Sequence, residues 1–201
     1  MSNHFCPFCD FESRKLDFLL EETESFRIIA DTHPLCEGHI LIIPKDHISC
    51  VGEYTDELFE EFNSIYQKVQ SFIKKEYGKV STFEHGKIGQ FVFHSHMHIL
   101  PFDGEPDEII IEGVENIKLI KSVSELKNIF QKDGQYLFFS IEVNNWIVNT
   151  DLGFPRFFRD RFAEAMNAPR RKDWKQMSQN KDLMAEAKAE NEGLLERWYN
   201  E

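Results

Sequence analysis

Two short runs of β-prone residues lie near the start of the chain, at residues 26–30 and 39–43. A link rich in turn-forming residues, 31–38, separates them. Pro44 follows the second run, and proline cannot donate a hydrogen bond to a sheet. We therefore predict two strands that a turn connects.

A helix is predicted over residues 55–77. Apolar residues recur there every three or four positions, which places them on one helix face: Leu58, Phe62, Ile65, Val69 and Phe72. Thr55 suits the N-cap, and Gly78 is a natural stop. The apolar face is wide enough to pack on one side of a sheet, so we interpret it as core.

The later pattern predicts a mixture of strands and helices. Strands are expected at residues 79–84, 90–100, 109–111 and 136–148, with Asn144 and Asn145 as a tight turn. Helices are expected at residues 156–167 and 182–199. The turn-like segment 103–107 marks a module boundary, which divides the chain into residues 1–104 and 105–201.

Composition and charge narrow the class of protein. The 201 residues are 41% hydrophobic and 29% charged, which is ordinary for a folded protein. No stretch approaches the roughly 18 to 20 apolar residues that cross a bilayer, and the first residues do not form a secretory signal. We expect a cytoplasmic protein that does not bind membranes.

The net charge of −12 makes binding to a nucleic-acid backbone an unexpected main role, although a modified nucleic-acid end stays possible as a substrate. Residues 156–175 carry a local excess of basic side chains. A solvated helix face is the ordinary interpretation of such a run, and a phosphate-binding patch is the alternative.

The side chains that carry chemistry are confined to the first half, because every histidine lies at or before His98 and every cysteine at or before Cys50. In a strand, His94, His96 and His98 would line one surface. A neutral imidazole can attack phosphorus, and a second can stabilise the charge that develops on a phosphate oxygen. Chance clustering or a chelating patch without catalysis is the alternative.

Cys6-Pro7-Phe8-Cys9 has the spacing that commonly begins a zinc site. The same motif also resembles a glutaredoxin redox motif. That fold needs a strand before the first cysteine, and only five residues precede Cys6. Zinc is therefore favoured, while a redox pair or thiols without a role remain alternatives.

Three separated motifs carry a resemblance to a known family. In chain order they are Cys6-x-x-Cys9, Asp31-x-x-Pro34-x-x-x-Gly38-His39-x-Leu41-x-Ile43-Pro44-Lys45-x-His47, and Gln90-x-x-x-His94-x-His96-x-His98. Residues 5–103 closely resemble the histidine triad (HIT) family of nucleotide hydrolases and transferases. The resemblance implies an α+β fold, with an antiparallel sheet and a packed helix, plus an α+β C-terminal extension.

The resemblance also implies roles for particular residues. His96 matches the nucleophile that forms a covalent nucleotidyl intermediate, and His98 matches the residue that contacts the phosphate. Gln90 matches a phosphate ligand, and Asp31 matches the residue that binds the ribose hydroxyls. Relatives usually form homodimers, so a homodimer is expected.

Zinc-containing relatives imply a metal site formed by Cys6, Cys9, His47 and His94. This set has two sulfur and two nitrogen donors and leaves no open position, so the zinc is expected to be structural.

The remaining histidines receive smaller roles. His39 is interpreted as a core residue, and His33 and His85 are placed in loops, with His85 able to approach a leaving group.

The extension contains Phe154-Pro155-Arg156-Phe157-Phe158-Arg159 and a later Pro169-x-x-x-x-Asp173-Trp174. These segments are similar to parts of CwfJ-like RNA-processing proteins and dinucleotide polyphosphate phosphorylases. The phenylalanines are expected to pack on the sheet, and Arg156 and Arg159 to reach substrate phosphates. The resemblance therefore implies an enzyme that acts on a nucleotide conjugate, and a noncatalytic nucleotide- or RNA-binding adaptor is the alternative.

Overall fold

In the part of the chain that the structure describes, eight antiparallel strands form one continuous sheet, in the order β1-β2-β3-β5-β4-β7-β8-β6. The computed structural model describes residues 6–10 and 18–200. The strands are β1 (Leu19–Glu22), β2 (Phe26–Ala30), β3 (Ile40–Pro44), β4 (Ser81–Gly86), β5 (Met97–Leu100), β6 (Ile117–Ile120), β7 (Tyr136–Ile141) and β8 (Asn144–Val148).

Among the described residues, six α-helices accompany the sheet: α1 (Asp56–Tyr77), α2 (Pro106–Ile109), α3 (Leu126–Asp133), α4 (Phe157–Ala165), α5 (Trp174–Gln179) and α6 (Lys181–Tyr199). The prediction for α1 is confirmed at both ends. The Thr55 side chain accepts a hydrogen bond from the Leu58 amide, and Gly78 ends the helix with a φ of 78°. None of the helices in the described part of the chain has the length and apolar character to cross a membrane.

The two faces of the sheet carry separate hydrophobic cores. On one face, α1 packs over residues that include Ile28, Ile42 and Met97. On the other face, α4 inserts Phe158 and Phe162 against Phe83 of β4. Burying a phenylalanine contributes about 1.5–3 kcal/mol, so α4 is firmly attached to this second face.

The two segments divided at residue 104 share one sheet and both cores. Strand β4 lies between β5 of the first segment and β7 of the second. Ile120 and Tyr136 join the α1 core, and Leu35 and Phe83 join the α4 core. The predicted boundary is therefore a turn in the chain rather than a gap between two cores. The sheet ends at β1 and β6, and the homodimer stays a prediction.

Three local predictions were wrong. Residues 90–96 are not a strand, because β5 begins only at Met97. There the Pro44 carbonyl accepts a hydrogen bond from the His94 side chain instead of from a neighbouring strand. Residues 109–111 end a short helix, and the β7–β8 turn lies at residues 142 and 143 rather than at the asparagines, with Glu142 at a φ of 53°.

Candidate active site

A cavity of about 360 Å³ opens on the face of the sheet that α4 covers. This volume lies in the range of small-molecule sites. Ile29, Leu41 and His98 are successive cross-strand neighbours on β2, β3 and β5, and all three line the cavity. Both segments of the chain contribute walls: Asp31 and His96 come from the first, and Arg156, Arg159 and Trp174 come from the second.

His96 lines the cavity, and a hydrogen bond to the backbone fixes the orientation of its ring. Its Nδ1 lies 2.6 Å from the His94 carbonyl oxygen. A carbonyl can only accept, so Nδ1 carries the proton and the lone pair is on Nε2. Burial lowers the pKa of His96 below its usual value, which keeps the ring neutral at pH 7. The geometry therefore presents an imidazole nitrogen that is able to act as a nucleophile.

His98 is oriented by a second buried histidine. The His39 Nδ1 accepts a hydrogen bond from the Leu35 amide at 3.1 Å, so His39 carries its proton on Nε2. That Nε2 donates to the His98 Nδ1 at 2.9 Å. His98 therefore carries its own proton on Nε2, and its ring is stacked on Phe83 with centroids 4.1 Å apart. Burial holds the pKa of His98 well below its usual value, so it is a neutral donor.

His39 is thus more than a buried core residue. It is fully buried, as predicted, and burial lowers its pKa to about 4, but it also fixes the proton on His98. Sequence reasoning missed this contact. The sequence contained a signal for this contact. His39 and Leu41 are two positions apart in the same β-prone run, so their side chains are expected on the same face, and Leu41 lines the cavity.

The first histidine of the triad points away from the other two. The His94 Nε2 donates to the Pro44 carbonyl at 2.8 Å, which directs its Nδ1 towards the cysteine pair. His96 and His98 remain together, with ring centroids 5.0 Å apart. The expectation that all three line one surface is therefore wrong. A break in the strand between His94 and Met97 divides the triad between two sites.

Four side chains meet where a metal ion would fit. One donor atom from each of Cys6, Cys9, His47 and His94 lies within 4.8 Å of the others. The Cys6 Sγ lies 3.4 Å from the His94 Nδ1, and the Cys9 Sγ lies 3.2 Å from the His47 Nδ1. Sulfur and nitrogen ligands around a tetrahedral zinc ion would lie roughly 3.6 Å apart. The donor set and its spacing therefore suit such an ion.

Burial also affects the ability of Cys9 to act as a metal ligand. Desolvation and the adjacent Cys6 raise the pKa of Cys9 to about 11. A thiol with that pKa is protonated at neutral pH, and a bound cation is what would convert it to a thiolate ligand. His4 lies outside the described residues.

Asp31 and Arg159 form a buried ion pair between the two segments. The Arg159 Nη1 lies 3.1 Å from the Asp31 Oδ2. Other Arg159 nitrogens donate to the carbonyl oxygens of His33, Arg171 and Lys172. Burial opposes ionisation of Asp31, but His39 and Arg159 lower its pKa to about 2. Both predicted ligands therefore lie at the cavity, and Arg159 holds Asp31 there.

Arg156 and Gln90 are positioned less directly for phosphate. Arg156 lines the cavity, but its guanidinium lies 2.7 Å from the Asp173 Oδ2 and 3.4 Å from the Asp160 Oδ1. Gln90 is not one of the lining residues, and its amide nitrogen donates to the Ser49 carbonyl at 2.6 Å. The structure therefore does not bring Gln90 to the cavity, and a phosphate contact would require its side chain to rotate.

His33 and His85 both line the cavity. His33 follows β2 in the predicted link, and its Nε2 lies 2.7 Å from the Ser178 Oγ of α5. His85 lies in β4 rather than in a loop, because β4 extends two residues beyond its predicted end. The His85 Nε2 accepts the Phe158 amide hydrogen of α4 at 3.2 Å.

A buried network below the triad was not predicted. The Ser95 hydroxyl donates to the Glu84 carboxylate at 2.9 Å and lies 2.8 Å from the Tyr54 hydroxyl. Tyr136 and the Val51 amide also donate to Glu84. Burial raises the pKa of Glu84 to about 7. Because Ser95 stands between His94 and His96, this network fixes the backbone that separates these two histidines.

Comparisons with known proteins show the family to which this chain is similar. A family model described as the HIT domain matches residues 13–105. The protein hit of Bacillus subtilis is 36% identical over 111 residues, which cover 51% of this chain and 74% of that protein.

Two further relatives carry names that state an activity. The adenosine 5′-monophosphoramidase hnt1 of Schizosaccharomyces pombe is 33% identical over an alignment that covers 50% of this chain and 76% of that protein. The bis(5′-adenosyl)-triphosphatase of Dictyostelium discoideum is 28% identical over an alignment that covers 55% of this chain and 84% of that protein. Both names describe cleavage of a bond to an adenosine phosphate.

Proposed function

The chain belongs to the HIT domain family, and from that membership we propose that it is a nucleotidyl hydrolase or transferase. Its substrate is a dinucleotide polyphosphate or a similar conjugate, from which it cleaves a nucleoside monophosphate. The reaction passes through a covalent nucleotidyl intermediate on His96. The names of the relatives support a nucleotide substrate.

One observation carries the proposal: the His96 Nδ1 lies 2.6 Å from the His94 carbonyl oxygen that accepts its proton, within a cavity that His98 also lines. In the first step, the Nε2 lone pair bonds to the phosphorus. The bond from phosphorus to the leaving group breaks, and the leaving group takes its electron pair. The imidazole then carries a positive charge, which the hydrogen bond to the His94 carbonyl stabilises.

His98 serves the same step as a donor to the phosphate. Its Nε2 proton is fixed by His39, and a neutral donor requires no proton transfer to stabilise the developing charge. In the second step, an acceptor such as water bonds to phosphorus and the nitrogen–phosphorus bond breaks. The electron pair returns to the His96 Nε2, the water releases its proton, and the nucleoside monophosphate leaves.

Asp31 is assigned to the ribose hydroxyls. A carboxylate has about four acceptor sites, so it can keep its bond to Arg159 and still accept from a diol. Its lowered pKa keeps it an acceptor throughout the physiological pH range. Roles for Gln90 and Arg156 at the phosphates stay part of the proposal, and each requires the side chain to leave its present partner.

Cys6, Cys9, His47 and His94 are assigned to a structural zinc ion. Four protein ligands would complete its coordination, so the ion would hold the N-terminal segment against the loop that carries His96. This position supports a scaffolding role. The chain's own imidazoles carry the chemistry.

Turnover with diadenosine triphosphate and with adenosine 5′-monophosphoramidate tests the proposal. Replacing the nucleophile in His96→Ala should lower the rate by at least about 10⁴-fold, with an unchanged circular dichroism spectrum. Cys36→Ala, a change outside the proposed metal and catalytic groups, is the control and should retain the rate. Equal rates for wild type and His96→Ala would remove the catalytic role of His96, and rates that both equal the uncatalysed background would leave the noncatalytic adaptor.

A further inference from the structure

Phe91 of the first segment and Trp174 of α5 both line the cavity, and the Lys175 side chain lies beside their rings. The Phe91 and Trp174 rings lie 5.8 Å apart at an interplanar angle of 82°. The Lys175 Nζ lies 4.5 Å from the centre of the Phe91 ring and 5.5 Å from that of Trp174. Trp174 and Lys175 lie beyond residue 105, where the family match ends. Trp174 and Lys175 are therefore additions to the shared domain, and they join Phe91 of that domain.

The cavity has a second apolar group with different neighbours. Phe8 packs with Ile29 and Leu41, and its ring contacts those of His94 and His96. Trp174 instead contacts His33 and Phe91. A substrate that is cleaved at the phosphorus has two ends, and this cavity offers an apolar surface to each.

The aromatic wall is held in place by Arg156. Its guanidinium binds Asp173, whose carboxylate in turn accepts the Lys175 and Gln176 amide hydrogens at the start of α5. The Arg156 amide also donates to the Gly89 carbonyl, in the loop that carries Phe91. Arg156 thus links the loop that carries Phe91 to the start of α5, where Trp174 lies. This link explains why Arg156 is committed to Asp173 rather than directed at the cavity.

Phe91 is 48% exposed, a large apolar area for a side chain at the rim of a cavity. An exposed aromatic face is suited to stacking against a planar ring, and a neighbouring ammonium group is suited to an anion. A second nucleotide combines these two features, since it has a planar base joined to phosphate. A small leaving group such as ammonia has neither.

We propose that Phe91, Trp174 and Lys175 form a leaving-group subsite that takes the base and the nearest phosphate of a second nucleotide. The inference rests on the proposed function, because it assigns the other half of that substrate. It predicts that the C-terminal segment selects dinucleotides over substrates with a small leaving group.

Two substrates that differ in the leaving group test the subsite. Trp174→Ala should lower kcat/KM for diadenosine triphosphate by about 10- to 100-fold, mainly through KM, because stacking on one aromatic ring is lost. The kcat/KM for adenosine 5′-monophosphoramidate should change by less than about twofold. Trp174→Phe should restore most of the activity towards the dinucleotide.

Phe154→Ala is the matched control for Phe91→Ala. Phe154 is 41% exposed, close to the 48% of Phe91, and it does not line the cavity. Phe91→Ala should reproduce the selective loss, and Phe154→Ala should leave both substrates unaffected. Equal losses for the two substrates, or no loss with Trp174→Ala, would overturn the subsite while leaving the proposed function intact.

Binding separates the two proposals if neither substrate is turned over. In a His96→Ala background, the dissociation constant of diadenosine triphosphate should be at least about tenfold below that of AMP. Adding Trp174→Ala should remove that difference. A dinucleotide that binds no tighter than AMP would overturn the subsite whether or not the protein is an enzyme.

Discussion

Residues 18–104 and residues 105–200 contribute to one cavity in different ways. The first segment supplies His96, His98 and Asp31, and every cysteine and histidine of the chain precedes residue 99. The second segment has neither residue type, yet it supplies Trp174 and the arginine that binds Asp31. Reactive groups are thus concentrated in one segment, and the other shapes what can reach them.

This difference shows why the two segments demand different reasoning. The reactive groups of the first lie in short motifs, so the spacing within those motifs and their family resemblance indicate the chemistry. The contribution of the second depends on contacts across more than a hundred residues, such as Arg159 with Asp31. Such contacts follow from β7 pairing with β4 and from α4 packing on the sheet.

Breaking the ion pair between the segments should have the largest effect on stability. Arg159→Met leaves the Asp31 carboxylate buried without its cation, and the free energy of unfolding should fall by about 3–5 kcal/mol. Urea unfolding followed by circular dichroism measures it. The exposed Arg170 is the matched control, and Arg170→Met should change stability by less than about 0.5 kcal/mol. Equal effects of the two changes would mean that the segments do not depend on this contact.

Removing the metal site should affect the first segment by a somewhat smaller amount. Wild type should contain one zinc ion per chain, and Cys9→Ala should lose it and about 3 kcal/mol of stability. Elemental analysis and urea unfolding test this, with Cys36→Ala as a variant that keeps the metal. Zinc-free protein of full stability, whose Cys6 and Cys9 exchange with glutathione, would instead support the redox interpretation.

His85, which contacts Phe158 of the second segment, should also make stability depend on pH. Burial lowers the pKa of His85 to about 3, against an ordinary value of 6.5. Between these values the unfolded chain binds a proton that the folded chain does not, so stability falls as the pH falls. From pH 7 to pH 5, His85 should account for a loss of about 2 kcal/mol.

His85→Gln tests that loss, because glutamine can accept the Phe158 amide hydrogen but does not titrate. The variant should lose about 2 kcal/mol less than wild type between pH 7 and pH 5. Both proteins should respond equally between pH 7 and pH 8. His39 and His98 are present in both, so their contributions cancel. Identical losses at low pH would show that His85 is accessible to protons in the folded chain.

Local patterns predicted the regular elements well. Periodicity located α1 and its caps, and the β-prone run gave β2 at its observed bounds. The strand predicted over residues 90–100 failed, because long-range hydrogen bonds divert His94 towards Pro44 and Ser95 towards Glu84. No local pattern signals such partners.

The candidate site was predicted unevenly for the same reason. The four proposed metal ligands converge, and His96 and His98 meet at the cavity, because short spacing and a matching family motif specify them. The hydrogen bond from His39 to His98 and the ion pair of Arg159 with Asp31 depend on tertiary contacts. Gln90 faces Ser49 instead of the cavity. The similarity of the extension to CwfJ-like proteins stays a prediction.

The most direct test of the central claim is to capture the intermediate. Wild-type protein mixed with diadenosine triphosphate and quenched within one turnover should gain the mass of one adenylyl group. Peptide sequencing by mass spectrometry should then place that group on His96, and His96→Ala should gain none. An adduct on another residue, or turnover without any adduct at His96, would contradict the account.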